Sequence, residues 1–213
     1  ALGRPSMPPL RVHFVGVDAL IDPCRDSGQN RRADVGIRPY GMPRGFGARK
    51  GAAMVSITLI CVGKCKEKFY LDAAAEYEKR LKGYAQFKLI ELPECRLPDD
   101  PSPAEIAQGL SREAEAIRKA IPKGAWLCVL TPEGKMLSSP DFAKLLAGVK
   151  TAGKSSLCFL IGSSFGMDAS IKSMADCRLS MGPMTFPHHL ARVMVLEQLY
   201  RAESIQAGSK YHK

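Results

Sequence analysis

Three of the four histidines in this 213-residue chain, His188, His189 and His212, fall within its last twenty-six residues. Histidine titrates nearest neutrality, so such a cluster is suited to taking up or giving away a proton. Arg192, Tyr211 and Lys213 stand in the same stretch and add two cations and a phenol. Pro187 precedes the histidine pair and sets it at a helix start, where backbone N–H groups and the helix dipole favour anions. A plainer reading is also open, in which these are ordinary helix-start residues followed by a frayed tail. Spacing alone does not choose between the two.

Groups of this kind need elements to hold them. After Pro187, Leu190, Val193, Leu196 or Glu197, and Tyr200 recur at steps of three and four, which predicts a helix with one apolar face. Upstream, VSITLICV at 55–62, AWLCVLT at 125–131 and SLCFLI at 156–161 are continuous β-branched and apolar runs, the pattern of strands buried on both faces. Shorter strands are expected at 87–92 and 178–181. Helices are expected at 67–82, at 104–121, from Ser139-Pro140-Asp141 onward, and at 168–175. Strand and helix alternate throughout, so the fold class is α/β, a mainly parallel sheet with helices on both faces.

Residues 1–53 read differently. They hold eight glycines and six prolines, and their nine Lys/Arg against four Asp supply half of the net charge of +10. Only 12–17 could pass for a strand. This stretch is expected to be a poorly ordered extension or a misassigned start, with the folded domain at 54–213. The remainder is moderately basic, which allows a nucleic-acid partner without requiring one. No apolar run reaches the roughly 18 residues that span a bilayer, so a soluble protein with no membrane partner is expected. Seven cysteines form no C-x-x-C pair. That argues for a reducing compartment, the cytoplasm, and against a disulfide framework or a metal site.

In parallel sheets, ligands bind beyond the carboxyl ends of the strands. Three loops qualify: 131–135, 162–166 and 182–187. Gly162 and Gly166 permit close backbone approach, but none of the loops matches a P-loop or a dinucleotide fingerprint, and no G-x-S-x-G elbow is present.

LIGSSFG, MTFPHHLARVMVLEQLYRAESI and the terminal YHK together resemble the RlmH family, SPOUT-class methyltransferases of large-subunit ribosomal RNA. The opening VSITLICVGK, then EYEKRLKGY and KLIELPE, is similar as well, and the resemblance runs from Met54 to Lys213. It implies a sheet whose C-terminal segment threads a loop as a deep trefoil knot, a rare exception to ordinary chain connection. It also implies a homodimer with an active site at the interface. S-adenosylmethionine contacts fall on Leu130, Gly162, Met181, Gly182, Pro183, Met184, Thr185 and Phe186. The implied reaction is methylation of N3 of a pseudouridine in 23S rRNA within the ribosome. For it, His188 or His212 would help accept the proton or orient the base, Tyr211 belongs to the terminal tail, and Arg192 and Lys213 would supply positive charge.

Two positions depart from the family pattern. Ser163 stands where a second glycine is usual, and Lys213 replaces an arginine, exchanging a bidentate fork for a point charge. Three other readings compete: a noncatalytic ribosome-assembly protein of the same fold, a knotted methyltransferase acting on tRNA, and a redox protein using Cys61 and Cys65.

Overall fold

The computed structural model describes residues 54–209 and Tyr211. The expected strand at 12–17 lies outside the described residues, as do His212 and Lys213. Five parallel strands form one sheet in the order β2-β1-β4-β3-β5: β1 is Ser56–Val62, β2 Gln86–Leu92, β3 Trp126–Met136, β4 Ser156–Ile161 and β5 Cys177–Ser180. Five helices alternate with them: α1 Lys68–Leu81, α2 Pro103–Ala120, α3 Ser139–Thr151, α4 Ala169–Met174 and α5 His188–Gln206.

The strands that read as continuous apolar runs are the buried ones. Successive β1 residues point to opposite faces, so Ile57, Leu59 and Cys61 enter a core with Leu81, Phe142, Leu146, Leu196 and Leu199, on the side covered by α1, α3 and α5. Ile60 and Val62 enter the second core with Ala114, Ile117 and Ile171, under α2 and α4. Local signals start the helices where they should. Ser102 and Glu105 form a reciprocal capping box at α2. At α3 the cap is Ser138, whose side chain accepts a hydrogen bond from the Asp141 N–H.

Two findings differ from the sequence-based expectation. β3 does not end at Thr131. It bulges between Leu130 and Lys135 and then resumes, so that Leu130 and Lys135 both pair with Leu179. The bulge folds Gly134 onto the β5 backbone: a Cβ there would lie 2.5 Å from the Leu179 carbonyl carbon and 2.7 Å from that of Arg178. α5 is also buried over a wider arc than one apolar stripe. Ala191, Arg192, Val195, Leu196, Leu199, Ala202, Glu203 and Ser204 are all buried, whereas Leu190, Val193 and Tyr200 are half-buried. The helix packs against both α1 and α3, so polar residues lie inside and blur the periodicity. Lys150 at the end of α3 meets buried Glu203, with its Nζ 2.6 Å from the nearer carboxylate oxygen.

Gly134→Ala is expected to destabilise the fold by about 3 kcal/mol, because backbone must move to admit the methyl. Gly148→Ala, on α3 with open space around the added Cβ, should instead stabilise by about 0.5–1 kcal/mol. Urea unfolding of the two variants checks both signs.

Candidate active site

α5 begins at the carboxyl end of the sheet. Its first residue, His188, places Nε2 3.2 Å from where a Cβ on Gly63 would stand, just past β1. Gly63 has φ +97°, so a glycine both makes the turn and leaves room for the ring. The preceding loop, 181–187, starts just after Ser180 on edge strand β5 and ends at β1. In the observed strand order it crosses the widths of β3 and β4, three intervals of ~4.8 Å. Leu130, at the β3 bulge and paired with Leu179, and Gly162, directly after β4, belong to the two strands that lie between the loop's ends. The residues expected to hold a cofactor therefore share one edge of the sheet.

The loops are shaped by tight backbone contacts. Gly162 has no room for a side chain, since a Cβ would lie 2.2 Å from the Gly166 carbonyl oxygen. Ser163 and Gly166 exchange both backbone hydrogen bonds, at 3.0 and 2.9 Å, and Ser163 is buried in the place of the usual second glycine. Gly182, at φ +115°, sits after Ser180, whose Oγ accepts from the Gly182 N–H at 3.2 Å. Loop residues Pro183, Met184 and Thr185 are exposed, and Phe186 is half-buried.

Beside this loop a cleft of about 330 Å³ is lined by Leu179, Ser180, Met181 and Gly182 with Phe142, Met194 and Gln198 among the facing residues. Of the residues expected to hold a cofactor, Met181 and Gly182 line it, whereas Leu130, Gly162, Pro183, Met184, Thr185 and Phe186 do not. A larger cleft, about 730 Å³, lies along β5 between Trp126, Glu133, Lys144 and Arg178. Its charged walls suit a small apolar ligand poorly, whereas the smaller cleft has the size and mostly apolar lining of a small-molecule site.

The histidine pair is held from below. His188 and His189 approach Nε2 to Nε2 at 2.7 Å, so one donates and the other accepts. Burial lowers the His188 pKa from its ordinary value, and the His189 charge adds to the effect, which favours a neutral ring. Arg192, one turn into α5, is 1% exposed and is not at the surface. Its guanidinium donates to Glu91 Oε1 at 2.6 Å and to the Gly63 carbonyl at 3.1 Å, tying α5 to the ends of β1 and β2. Arg192 therefore acts as a positioning residue here, and the expectation that it reaches a phosphate or base directly does not fit this burial.

Tyr211 is also placed away from the histidines. It stacks edge-on against Tyr200 at 4.8 Å, lies under the Arg201 guanidinium, and donates to Glu197 Oε1 at 3.3 Å. Burial pushes its pKa up to about 12, so it is a neutral phenol. Glu197 follows His188 by nine residues of helix, about 13 Å at 1.5 Å each. Within one chain the tail tyrosine and His188 do not meet.

Three residues at this edge, Glu67, Glu91 and Glu94, escaped the sequence reading, and Cys65 entered it only as a redox candidate. Glu91 bonds Arg192; Glu94 Oε1 accepts from the Ser164 N–H at 2.9 Å; Cys65 and Glu67 adjoin His189. Their signal was available, since VGKCKE and ELPE span the carboxyl ends of two strands and the residues just beyond them, where ligand-facing loops lie. The redox reading of Cys61 with Cys65 loses support, because Cys61 is buried and its thiol pKa is pushed up to about 12 by burial.

A parallel α/β domain with glycine-tight loops at one sheet edge matches a known class of enzyme. The chain belongs to the SPOUT methyltransferase family: the family described as "Predicted SPOUT methyltransferase" matches residues 55–212. Among similar proteins, "Ribosomal RNA large subunit methyltransferase H" of Streptococcus equi subsp. zooepidemicus is 45% identical over 159 residues, 75% of this chain and 100% of that protein. The protein of the same name from Moorella thermoacetica is 42% identical over 160 residues, again covering 75% of this chain and all of the relative. A solved "probable methylase family protein" from Haemophilus influenzae is 16% identical, covers 74% of this chain and 70% of that one, and has a TM-score of 0.42.

Burial alone would raise the Glu91 pKa, but the bond from Arg192, the Cys65 N–H and the Arg192 charge together hold it below the ordinary carboxylate value. A carboxylate depressed in the folded state stabilises the fold above its unfolded pKa, and that contribution is lost as pH falls through the folded one. The stability advantage of wild type over Glu91→Gln should be largest near neutrality and shrink below about pH 4. Arg192→Met should cost about 3 kcal/mol, the lower end for a broken buried pair, since the Glu91 side chain keeps 32% exposure. Denaturant unfolding across pH tests both.

Proposed function

We propose that this chain transfers a methyl group from S-adenosylmethionine to N3 of a pseudouridine in large-subunit (23S) ribosomal RNA within assembled ribosomes. The observation that carries this reading is the span of the 181–187 loop. It joins the sparsely charged loop ends of β4 and β5 to a histidine beside the end of β1, whose pKa burial lowers. Relatives that match over their whole length and carry the name of a large-subunit rRNA methyltransferase support the choice of RNA.

These loops suit the cofactor. Leu130, Gly162, Met181, Gly182, Pro183, Met184, Thr185 and Phe186 offer backbone groups and largely apolar surface, and none of these side chains carries a charge. Bound there, S-adenosylmethionine supplies the methyl group. His188, whose pKa burial lowers, orients the base, and it accepts the proton lost from the uracil nitrogen when its Nε2 is released from His189. His189 faces the His188 Nε2 and fixes the ring. Arg192 holds the first turn of α5 in place from inside. Alignment of the base with the methyl group contributes alongside these residues.

Two copies of the chain complete the site. The separation of Tyr211 from His188 within one chain supports a tail that serves a partner subunit, with His212 and Lys213 carrying its proton-accepting and cationic groups. Membership of the SPOUT methyltransferase family supports a knotted path for the C-terminal segment. The cytoplasm, where ribosomes and reduced thiols coexist, is the compartment this reading requires.

Radiolabelled methyl transfer to ribosomes lacking the modification tests the proposal, with the full chain, a chain starting at Met54, and one lacking His212 and Lys213. Label at a pseudouridine N3 from the first two forms, lost with the tail, is expected. His188→Ala should reduce the rate by about 10²–10⁴-fold while cofactor binding persists. Label appearing only on transfer RNA, or no label despite cofactor binding, overturns the choice of substrate.

A further inference from the structure

We propose that Cys65, Glu67 and His189 form a divalent-metal site, best matched by Zn²⁺, at the junction of β1, α1 and α5. Neither the methyl-transfer reading nor the family description assigns these residues. The thiol, one carboxylate oxygen and one imidazole nitrogen lie within 4.8 Å of one another. Glu67 Oε2 is 3.9 Å from the Cys65 Sγ and 3.4 Å from the His189 Nδ1. Tetrahedral zinc, with bonds of ~2.3 Å to sulfur and ~2.0–2.2 Å to nitrogen and oxygen, sets such ligand pairs about 3.4–3.6 Å apart. The two measured separations are within a few tenths of an ångström of that geometry.

The second observation is the state of His189. Its Nδ1 is buried and has no hydrogen-bond partner among the described residues, although Glu67 is 3.4 Å away. A buried imidazole nitrogen without a partner costs on the order of 1–3 kcal/mol, so such atoms call for an explanation. The other ring nitrogen, Nε2, is 2.7 Å from the His188 Nε2. A proton on His189 Nε2, donated to His188, leaves the Nδ1 lone pair facing Cys65 and Glu67. That is the arrangement in which metal-binding histidines are held, their second nitrogen hydrogen-bonded and their tautomer fixed.

The donor set selects the ion. A thiolate, an imidazole and a carboxylate together suit borderline-soft zinc and disfavour magnesium or calcium, which take oxygen ligands. Three protein ligands leave a fourth position for water. Glu67 is exposed and Cys65 half-buried, so the ion has a path from solvent. The nearest buried cation, Arg192, is already paired with Glu91 and does not leave an uncompensated positive charge beside the metal. On binding, the Cys65 S–H bond breaks, its electron pair goes to the metal and its proton to solvent.

The expectation of no metal site came from cysteine spacing, and spacing could not reveal this one. Two ligands lie ahead of α1 and the third begins α5, at the far end of the domain sequence. Loading the site would hold the His189 ring rigidly against His188. That consequence rests on the role given to His188 above; the site itself does not.

The test uses the full chain, stripped with a chelator and titrated with Co²⁺ alone, then with Zn²⁺. One Co²⁺ per chain is expected, with a thiolate-to-cobalt charge-transfer band and the intense visible absorption of a four-coordinate ion, both abolished by one equivalent of Zn²⁺. Cys65→Ser should remove the charge-transfer band. His189→Gln should keep it and weaken binding about 10–100-fold or more. Both side chains lie outside the two apolar cores, and thermal melting of the metal-free variants checks that they fold. A measurement without variants uses alkylation mapped by peptide mass, in which Zn²⁺ should protect Cys65 selectively. A wild-type spectrum lacking the sulfur band, binding unchanged in both variants, or Cys65 alkylated equally with and without Zn²⁺ would each overturn the proposal.

Discussion

The guanidinium of Arg192 is the interaction on which the site edge depends. It is almost wholly buried, and it joins three separate pieces of backbone: the start of α5, the carbonyl that follows β1, and the Glu91 side chain from the end of β2. Burying a cation is costly unless it is paired and hydrogen-bonded, and both conditions are met at two of its nitrogens. The return is geometric. Glu91 also accepts from the Cys65 N–H at 3.1 Å, so the same carboxylate pins the segment entering α1. Remove the guanidinium, and the turn at Gly63, the segment at Cys65 and the first turn of α5 lose their common tie.

Much of this architecture could be read from the chain. The three long apolar runs are strands in the structure, and β4 has the bounds expected for it, Ser156–Ile161. Alternation of strand and helix gave a parallel sheet because each crossover leaves room for only one direction of return. What escaped the sequence were effects of tertiary contact. The bulge that extends β3 to Met136 follows from pairing with β5, a partner more than forty residues away that no local pattern encodes. The buried face of α5 was blurred because Arg192, Glu203 and Ser204 lie inside it. Polar residues in a core look solvent-facing until their partners are known.

The candidate site was legible to the same degree. His188 stands out by residue type and by its place after Pro187, and the loops after β3, β4 and β5 stand out by their position at strand ends. The acidic residues that surround the histidines, Glu67, Glu91 and Glu94, do not, because lysines and further glutamates stand close to them in sequence. Composition treats Arg192 and an exposed arginine alike. Only burial tells a residue that could meet a phosphate from one that holds a helix in place.

The strand order also bears on how the protein is made. Among the described residues, strand β3 pairs only with β4 and β5, both of which follow it in the chain. While the protein is being synthesised, β1 and β2 can already pair, but WLCV of β3 has no neighbour until β4 has left the ribosome and entered between β1 and β3. A fully buried stretch of the sheet therefore waits for hydrogen-bonding partners that are made after it. Such an exposed interval is where chaperone capture and aggregation compete with folding. Its length is set by translation of the α3 segment, so the pace of synthesis through that helix becomes part of the folding pathway.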